Sequence, residues 1–343
     1  MLFARRVAWM GWATKGRVIM ANSFVHVHLV ALRYFSETVR SGSMRQAAEQ
    51  LSVAPSAVNR QILKLEEQLQ CRLFERRAAG VRLTAAGEVL YQYVRQLDRD
   101  LERAIAQIDD LRGLRRGHVR LGCEAGIARD FLPNVLAAFH QANPAVTHTI
   151  EVGDAETIMT RIAADEIDIG LAMSPLPRAE VALAGRVEVP VGLVAPPQSA
   201  LAGQGKVALH DLVGVRLIRA ADSLGAGTWQ KQIEAAAPSA TIVETNTVDL
   251  IPPLVKAGLG IGVRSPVGIM ADVRRGELAF AALIDPAVRN PSLVLQVRAG
   301  RILSTAGALM LEMMRAALPE FSRDIWDMVG LPQPEGGVSR GAS

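Results

Sequence analysis

The chain has 343 residues, of which 50% are hydrophobic and 21% charged, with a formal net charge of +4. That length suits two or three domains, and that balance excludes wholesale disorder. Two cysteines, Cys71 and Cys123, exclude a disulfide framework and a CxxC pair, and no run approaches the ~20 apolar residues of a membrane span.

Near the start, Arg5 and Arg6 precede an apolar patch, Val7 to Ala13, that Gly11 interrupts and Lys15 and Arg17 follow. With no small-residue cleavage site after it, this is not read as an export signal. Residues 1–23 are expected to be an extension, with Met20 a candidate start. His26 and His28 have too few companions to hold a metal, and no cofactor is expected.

Residues 24–84 read as a small helical domain. Leu29, Leu32, Tyr34, Phe35 and Val39 line one face of a helix that Ser41-Gly42 ends. Ser43 is placed to cap a second helix, Met44 to Leu51, with Ala47 and Ala48 at its centre. After a turn at Ser52-Val53, a third helix runs from about Pro55 to Leu69 with Val58, Ile62, Leu65 and Leu69 inward. Leu73/Phe74 and Val81/Leu83 flank a basic segment with Gly80, which predicts a hairpin, or wing.

Two short helices crossing at alanines, with a polar and basic face on the second, are what a helix-turn-helix needs to enter a major groove. Asn59 and Arg60 have the chemistry to read adenine and guanine. Ser43, Arg45, Gln46, Ala54, Pro55, Ser56 and Lys64 surround them, and Arg76, Arg77 and Arg82 lie on the wing, suited to phosphates.

Residues 85–116 read as a linker helix. Leu90, Val94, Leu97, Leu101, Ala104, Ile108 and Leu111 recur in steps of three and four, which predicts pairing with a second copy. From Gly117 to 323 strands and helices alternate, predicting a mostly parallel sheet and two subdomains. A strand over Arg186 to Val194 is expected to enter the second subdomain, and Lys256 to Val263 to lead back out. A helix is expected over 227–236, Asp249 is expected to cap the helix holding Pro252 and Pro253, and Leu303 to Leu318 form the last helix. Residues 324–343 read as a loose tail.

The run from Leu32 to Glu66, with Arg72-Leu-Phe-Glu-Arg76 and Leu83-Thr-Ala-Ala-Gly87, closely resembles the LysR-type transcriptional regulators. Weaker matches continue at Phe131-Leu-Pro133, Glu166-Ile-Asp-Ile-Gly-Leu171, Lys256-Ala-Gly-Leu-Gly-Ile261 and Arg275-Gly-Glu-Leu278. The resemblance implies an N-terminal all-α winged helix-turn-helix with a linker helix, then a C-terminal α/β domain like the periplasmic binding proteins. It implies a cytoplasmic homodimer or homotetramer that binds double-stranded operator DNA, takes a small-molecule effector between the subdomains, and works with RNA polymerase at a promoter.

The chain departs from that pattern where many relatives have Ser-Gln-Pro-Ala, carrying Ala54-Pro55-Ser56-Ala57, and Asn59 stands where Ser is commoner. In the cleft, Glu124-Ala-Gly126 replaces the usual hydroxyl, and Glu124, Gly126, Ile127, Asp154, Met173, Asp222, Thr247 and Arg264 are the candidate effector residues. The acids predict an effector that is neutral or carries an amino group. An enzyme built on the same α/β domain is the alternative, but no P-loop, G-x-S-x-G, HExxH or dinucleotide fingerprint occurs. A transport-type solute-binding protein would need neither head nor linker.

Overall fold

The computed structural model describes residues 27–77, 80–111, 116–220, 241–286, 288–334 and 338–340. The expected extension 1–23, His26, Asp222 and the expected helix 227–236 lie outside the described residues, as does the side chain of Arg76. The chain divides into two units, Met1–Leu97 and Asp98–Ser343.

In the first unit, α1 (Leu29–Ser41), α2 (Met44–Gln50) and α3 (Pro55–Leu69) enclose Phe35, Ala48, Val58, Ile62 and Leu65. The α2–α3 turn holds Ser52 at φ 55°, a left-handed conformation. Ser43 occupies the N-cap position of α2, but its side chain makes no capping bond. Ser41 instead donates its hydroxyl to the Ser43 and Glu37 carbonyls.

The wing is an antiparallel hairpin of β1 (Phe74–Arg77) and β2 (Gly80–Leu83). It docks through Val81 N–H on the Gly42 carbonyl at 3.0 Å. Gly80, at φ 134°, leaves the room for that approach, since a Cβ there would strike the same carbonyl. The Glu66 carboxylate accepts from the Leu73 and Phe74 amides, at 2.7 and 3.2 Å, and so ties α3 to the wing. Thr84 then caps α4 (Ala85–Leu111) by accepting from Gly87 N–H at 3.0 Å.

Among the described residues, the second unit holds two six-stranded sheets. The first orders β14 (Val338–Arg340), β6 (Val181–Glu188), β13 (Ser292–Arg298), β5 (Ile169–Met173), β3 (Gly117–Cys123) and β4 (Val146–Val152). The second orders β10 (Thr241–Thr245), β9 (Leu217–Ala220), β11 (Ile261–Arg264), β7 (Gly192–Ala195), β12 (Ala279–Leu283) and β8 (Lys206–Val207). Helices α5 (Ala125–Asp130), α6 (Leu132–Ala142) and α7 (Ala155–Ala163) belong to the first subdomain; α8 (Ile251–Lys256) and α9 (Met270–Arg274) follow in the second.

Several expectations change here. The single strand over Arg186 to Val194 is two strands, because the chain passes between sheets at Val189–Val191, where Pro190 has no N–H for a ladder. The return comes between β12 and β13, later than Lys256 to Val263, which stay in the second subdomain. The sheets are mixed, not mostly parallel: β5, β6 and β14 pair antiparallel within the β13-containing half of the first sheet, and β7 runs antiparallel to β11 and β12. The final helix, α10, runs Thr305–Met328 and continues through Pro319. The expected loose tail is in part ordered, with Ile325 and Trp326 buried on α10 and β14 paired to β6.

Candidate functional site

In the DNA-facing candidate, the buried stripe Val58, Ile62, Leu65 turns Ser56, Arg60 and Lys64 outward at four-residue spacing. Pro55 and Ala54 are exposed at the helix start, and Asn59 is half-buried beside that face. Arg45 and Gln46 are exposed on α2, Ser43 is half-buried before it, and Arg77 and Arg82 are exposed on the wing. The head thus presents one helix with short polar and basic side chains, and a hairpin carrying arginines. That arrangement can insert hydrogen-bonding groups in a major groove and neutralise phosphates.

Helix α4 divides the predicted pairing residues. Val94 is 2% exposed and Leu90 packs beside it against Phe35 and Tyr91 in the head's own core. The head claims both, so they are not part of an outward seam. Leu97, Leu101 and Ile108 are exposed, and Val89, Tyr93 and Ile105, which the sequence reading missed, extend their stripe. The period alone could not separate the two rows, since both recur every three to four residues.

The candidate effector cleft lies where β3, β4, β5, β10 and β11 end, the usual ligand position in open α/β sheets. Glu124 follows β3; its carboxylate accepts from Met173 N–H at 2.6 Å, and burial pushes it up to about 7. Asp154, Asp249 and Arg264 are near enough for their charges to act on it. Asp154 is the N-cap of α7, and the bond from Thr157 N–H at 2.7 Å holds its carboxyl below the ordinary carboxylate range.

Thr247, not Asp249, is the capping residue after β10; it accepts from Asp249 N–H at 3.3 Å. One carboxylate oxygen of Asp249 is buried without a hydrogen-bond partner among the described residues. Sequence reasoning took Asp249 for a cap and missed it as a cleft group; its place two residues after Thr247 was the available signal.

Arg264 is buried, and burial lowers it to about 10, still a cation at neutral pH. It donates to the Val248, Ser265 and Val267 carbonyls at 2.8, 3.0 and 2.6 Å. Its guanidinium therefore braces the loop after β11. Asp130 on α5 grips the same loop by accepting from Gly268 N–H at 2.6 Å, while Arg129 donates to the Gly268 carbonyl at 2.7 Å.

Three candidates fall away as side-chain contacts. Ile127 is fully buried in the first subdomain's core. Met173 packs against that core and offers the cleft side its backbone amide, already taken by Glu124. Gly126 meets the loop after β11, where a Cβ would lie 2.9 Å from the Val267 carbonyl oxygen. A hydroxyl-bearing residue would not fit at Gly126, so its missing hydroxyl says nothing about the ligand.

A winged helix-turn-helix joined by a helix to a two-subdomain α/β binding module defines a ligand-responsive, DNA-binding transcriptional regulator. Comparison with known proteins agrees. Residues 29–88 match the model of the bacterial regulatory helix-turn-helix proteins of the lysR family, and residues 112–319 match the LysR substrate binding domain. The chain belongs to the LysR family of transcriptional regulators. It is 30% identical to the HTH-type transcriptional regulator CbbR of Xanthobacter flavus, over 83% of this chain and 86% of that protein. It is 27% identical to the RuBisCO operon transcriptional regulator of Allochromatium vinosum, over 70% of this chain and 80% of that one. A full-length OxyR variant from Pseudomonas aeruginosa shares the fold, with TM-score 0.64 and 20% identity, over 90% and 98% of the two chains. No described helix is long and apolar enough to cross a membrane.

Proposed function

We propose that this regulator acts in the cytoplasm as a homo-oligomer paired through the outward stripe of α4, and that its cleft takes an effector that is neutral or carries an amino group. It regulates rather than catalyses, and it meets RNA polymerase at the promoter it controls. The carrying observation is the state of Arg264. The cleft's buried cation is already occupied by three backbone carbonyls, while Asp249 keeps one buried carboxylate oxygen without a hydrogen-bond partner among the described residues and Glu124 adds a second acid beside it. A dicarboxylate would be repelled there unless a proton came with it.

Asn59 and Arg60 read bases in this proposal, with Ser56 beside them; Ser43, Arg45, Gln46, Lys64, Arg77 and Arg82 hold the backbone, and Arg76 belongs with them by its place on the wing. Thermal shift of the intact protein against amines, sugars and dicarboxylates tests the effector class. Stabilisation by amines or sugars that is lost in Glu124→Gln supports it. Stabilisation by micromolar dicarboxylates, lost in Arg264→Ala, overturns it.

A further inference from the structure

At the other end of β3 lies a cavity of about 270 Å³ that the effector cleft does not include. Arg120, the cavity's nearest lining residue on the strand, is four residues from Glu124, so the two places are separated by roughly 13 Å of extended chain. Four guanidinium groups line this cavity, from Arg99 on α4, Arg116, Arg120 on β3, and Arg301 before α10. Only two carboxylates do so among the described residues, Glu102 and Asp168.

The ion pairs do not remove that surplus. Arg120 meets Glu102 at 2.6 Å and Arg301 meets Asp168 at 3.1 Å. Behind them Asp165 pairs with Arg99 at 3.2 Å, with Arg301, and with Arg298 at 3.7 Å. Asp165 and Arg298 offset each other, which leaves two positive charges in excess among the described residues around the cavity. Ser304 caps the 24-residue helix α10 and also lines the cavity, so the positive end of a long helix adds to the same field. Arg116 is exposed, at the rim.

We propose that this cavity is a second ligand site, for a doubly charged oxyanion of the phosphate class, alone or as the head of a small metabolite. Guanidinium forks match tetrahedral oxyanions geometrically and charge-assisted bonds to them are strong. The bound anion would bridge α4 to β3 and α10, joining the linker helix to the effector subdomain.

Isothermal titration of inorganic phosphate into the intact protein, at fixed pH and ionic strength with chloride as control, tests this. One saturable site is expected. Arg116→Ala, at an exposed position that leaves the fold alone, weakens it by about tenfold. Glu102→Gln tightens it by about threefold or more, because it removes a repelling charge; a merely structural Glu102–Arg120 pair gives no such gain. The double variant Arg60→Ala/Lys64→Ala leaves it unchanged. Absence of a saturable site, undiminished binding in Arg116→Ala, or loss in the Arg60/Lys64 variant, which would assign the anion to the DNA-binding face, overturns the proposal.

Discussion

Glu124 carries a pH dependence of its own. Burial lifts its carboxyl from 4.5 to about 7, so between those values the folded chain keeps a proton that the unfolded chain has lost. Its contribution to stability therefore falls as pH rises through that window and stays reduced above it. Glu124→Gln is expected to remove the fall, a relative change of at most about 3 kcal/mol, read by urea denaturation from pH 4.5 to 8. Identical pH profiles for wild type and Glu124→Gln would contradict the burial of this carboxyl. Asp165 is a harder case. It is 1% exposed, holds φ 64°, and meets Arg99, Arg298 and Arg301. Asn tolerates that backbone but removes the charge, leaving buried cations uncompensated. Asp165→Asn should cost about 3–5 kcal/mol, measurable as a lowered denaturation midpoint; a loss below about 1 kcal/mol would mean that the pairs are solvated.

Two elements invite separate tests, because each divides its work between faces. On α3, Asn59→Ala and Arg60→Ala leave the Val58/Ile62/Leu65 stripe untouched, so the fold should survive while operator specificity falls by about 1–3 kcal/mol. Arg77→Ala or Arg82→Ala should weaken binding to every sequence and flatten its salt dependence. Competition gel shifts at several salt concentrations distinguish the two, and wild-type specificity in both α3 variants would refute the recognition-helix assignment. On α4, Leu97 and Leu101 are 43% and 53% exposed. Replacing both by Lys should split the oligomer without unfolding the head, as light scattering would show. Val94→Ala should do the opposite, costing about 2 kcal/mol of stability at unchanged mass. If Val94→Ala alone halves the mass, the buried row and the pairing row have been exchanged.

Within the effector-binding unit, the first crossing between the subdomains and the loop after β11 each have their own constraint. Val189 and Val191 are buried around Pro190. The loop after β11 is held by Arg129, Asp130 and Arg264, and packs Val267 and Met270 into the first subdomain's core. Gly126 and Gly268 approach so closely there that a Cβ on Gly268 would lie 2.6 Å from the Gly126 Cα. Gly126→Ser, which restores the hydroxyl common in relatives, is therefore expected to strain this contact. It should lower the melting temperature by several degrees, about 1–3 kcal/mol, without creating a dicarboxylate site. Tight dicarboxylate binding in Gly126→Ser would show instead that the position faces the ligand.

The local pattern was enough for the winged head, the long helix after it and the alternating α/β domain. Each rests on short-range physics: the Val58/Ile62/Leu65 period of α3, the glycine at the wing, the strand–helix alternation after Gly117. The basic and polar face of α3 was legible for the same reason, since burying one stripe of a helix exposes the other. The sequence could not assign Val94 to the head, Arg264 to three carbonyls or Gly126 to a close approach of the loop after β11. Those depend on partners far along the chain. An apolar row on α4 looks the same whether its partner is Phe35 or another copy, and a cleft arginine looks available until the loop it braces is in place. Nor does composition reveal that Arg99, Arg120 and Arg301, about two hundred positions apart in the chain at their extremes, surround one cavity; only the packing of α4, β3 and α10 brings their charges together.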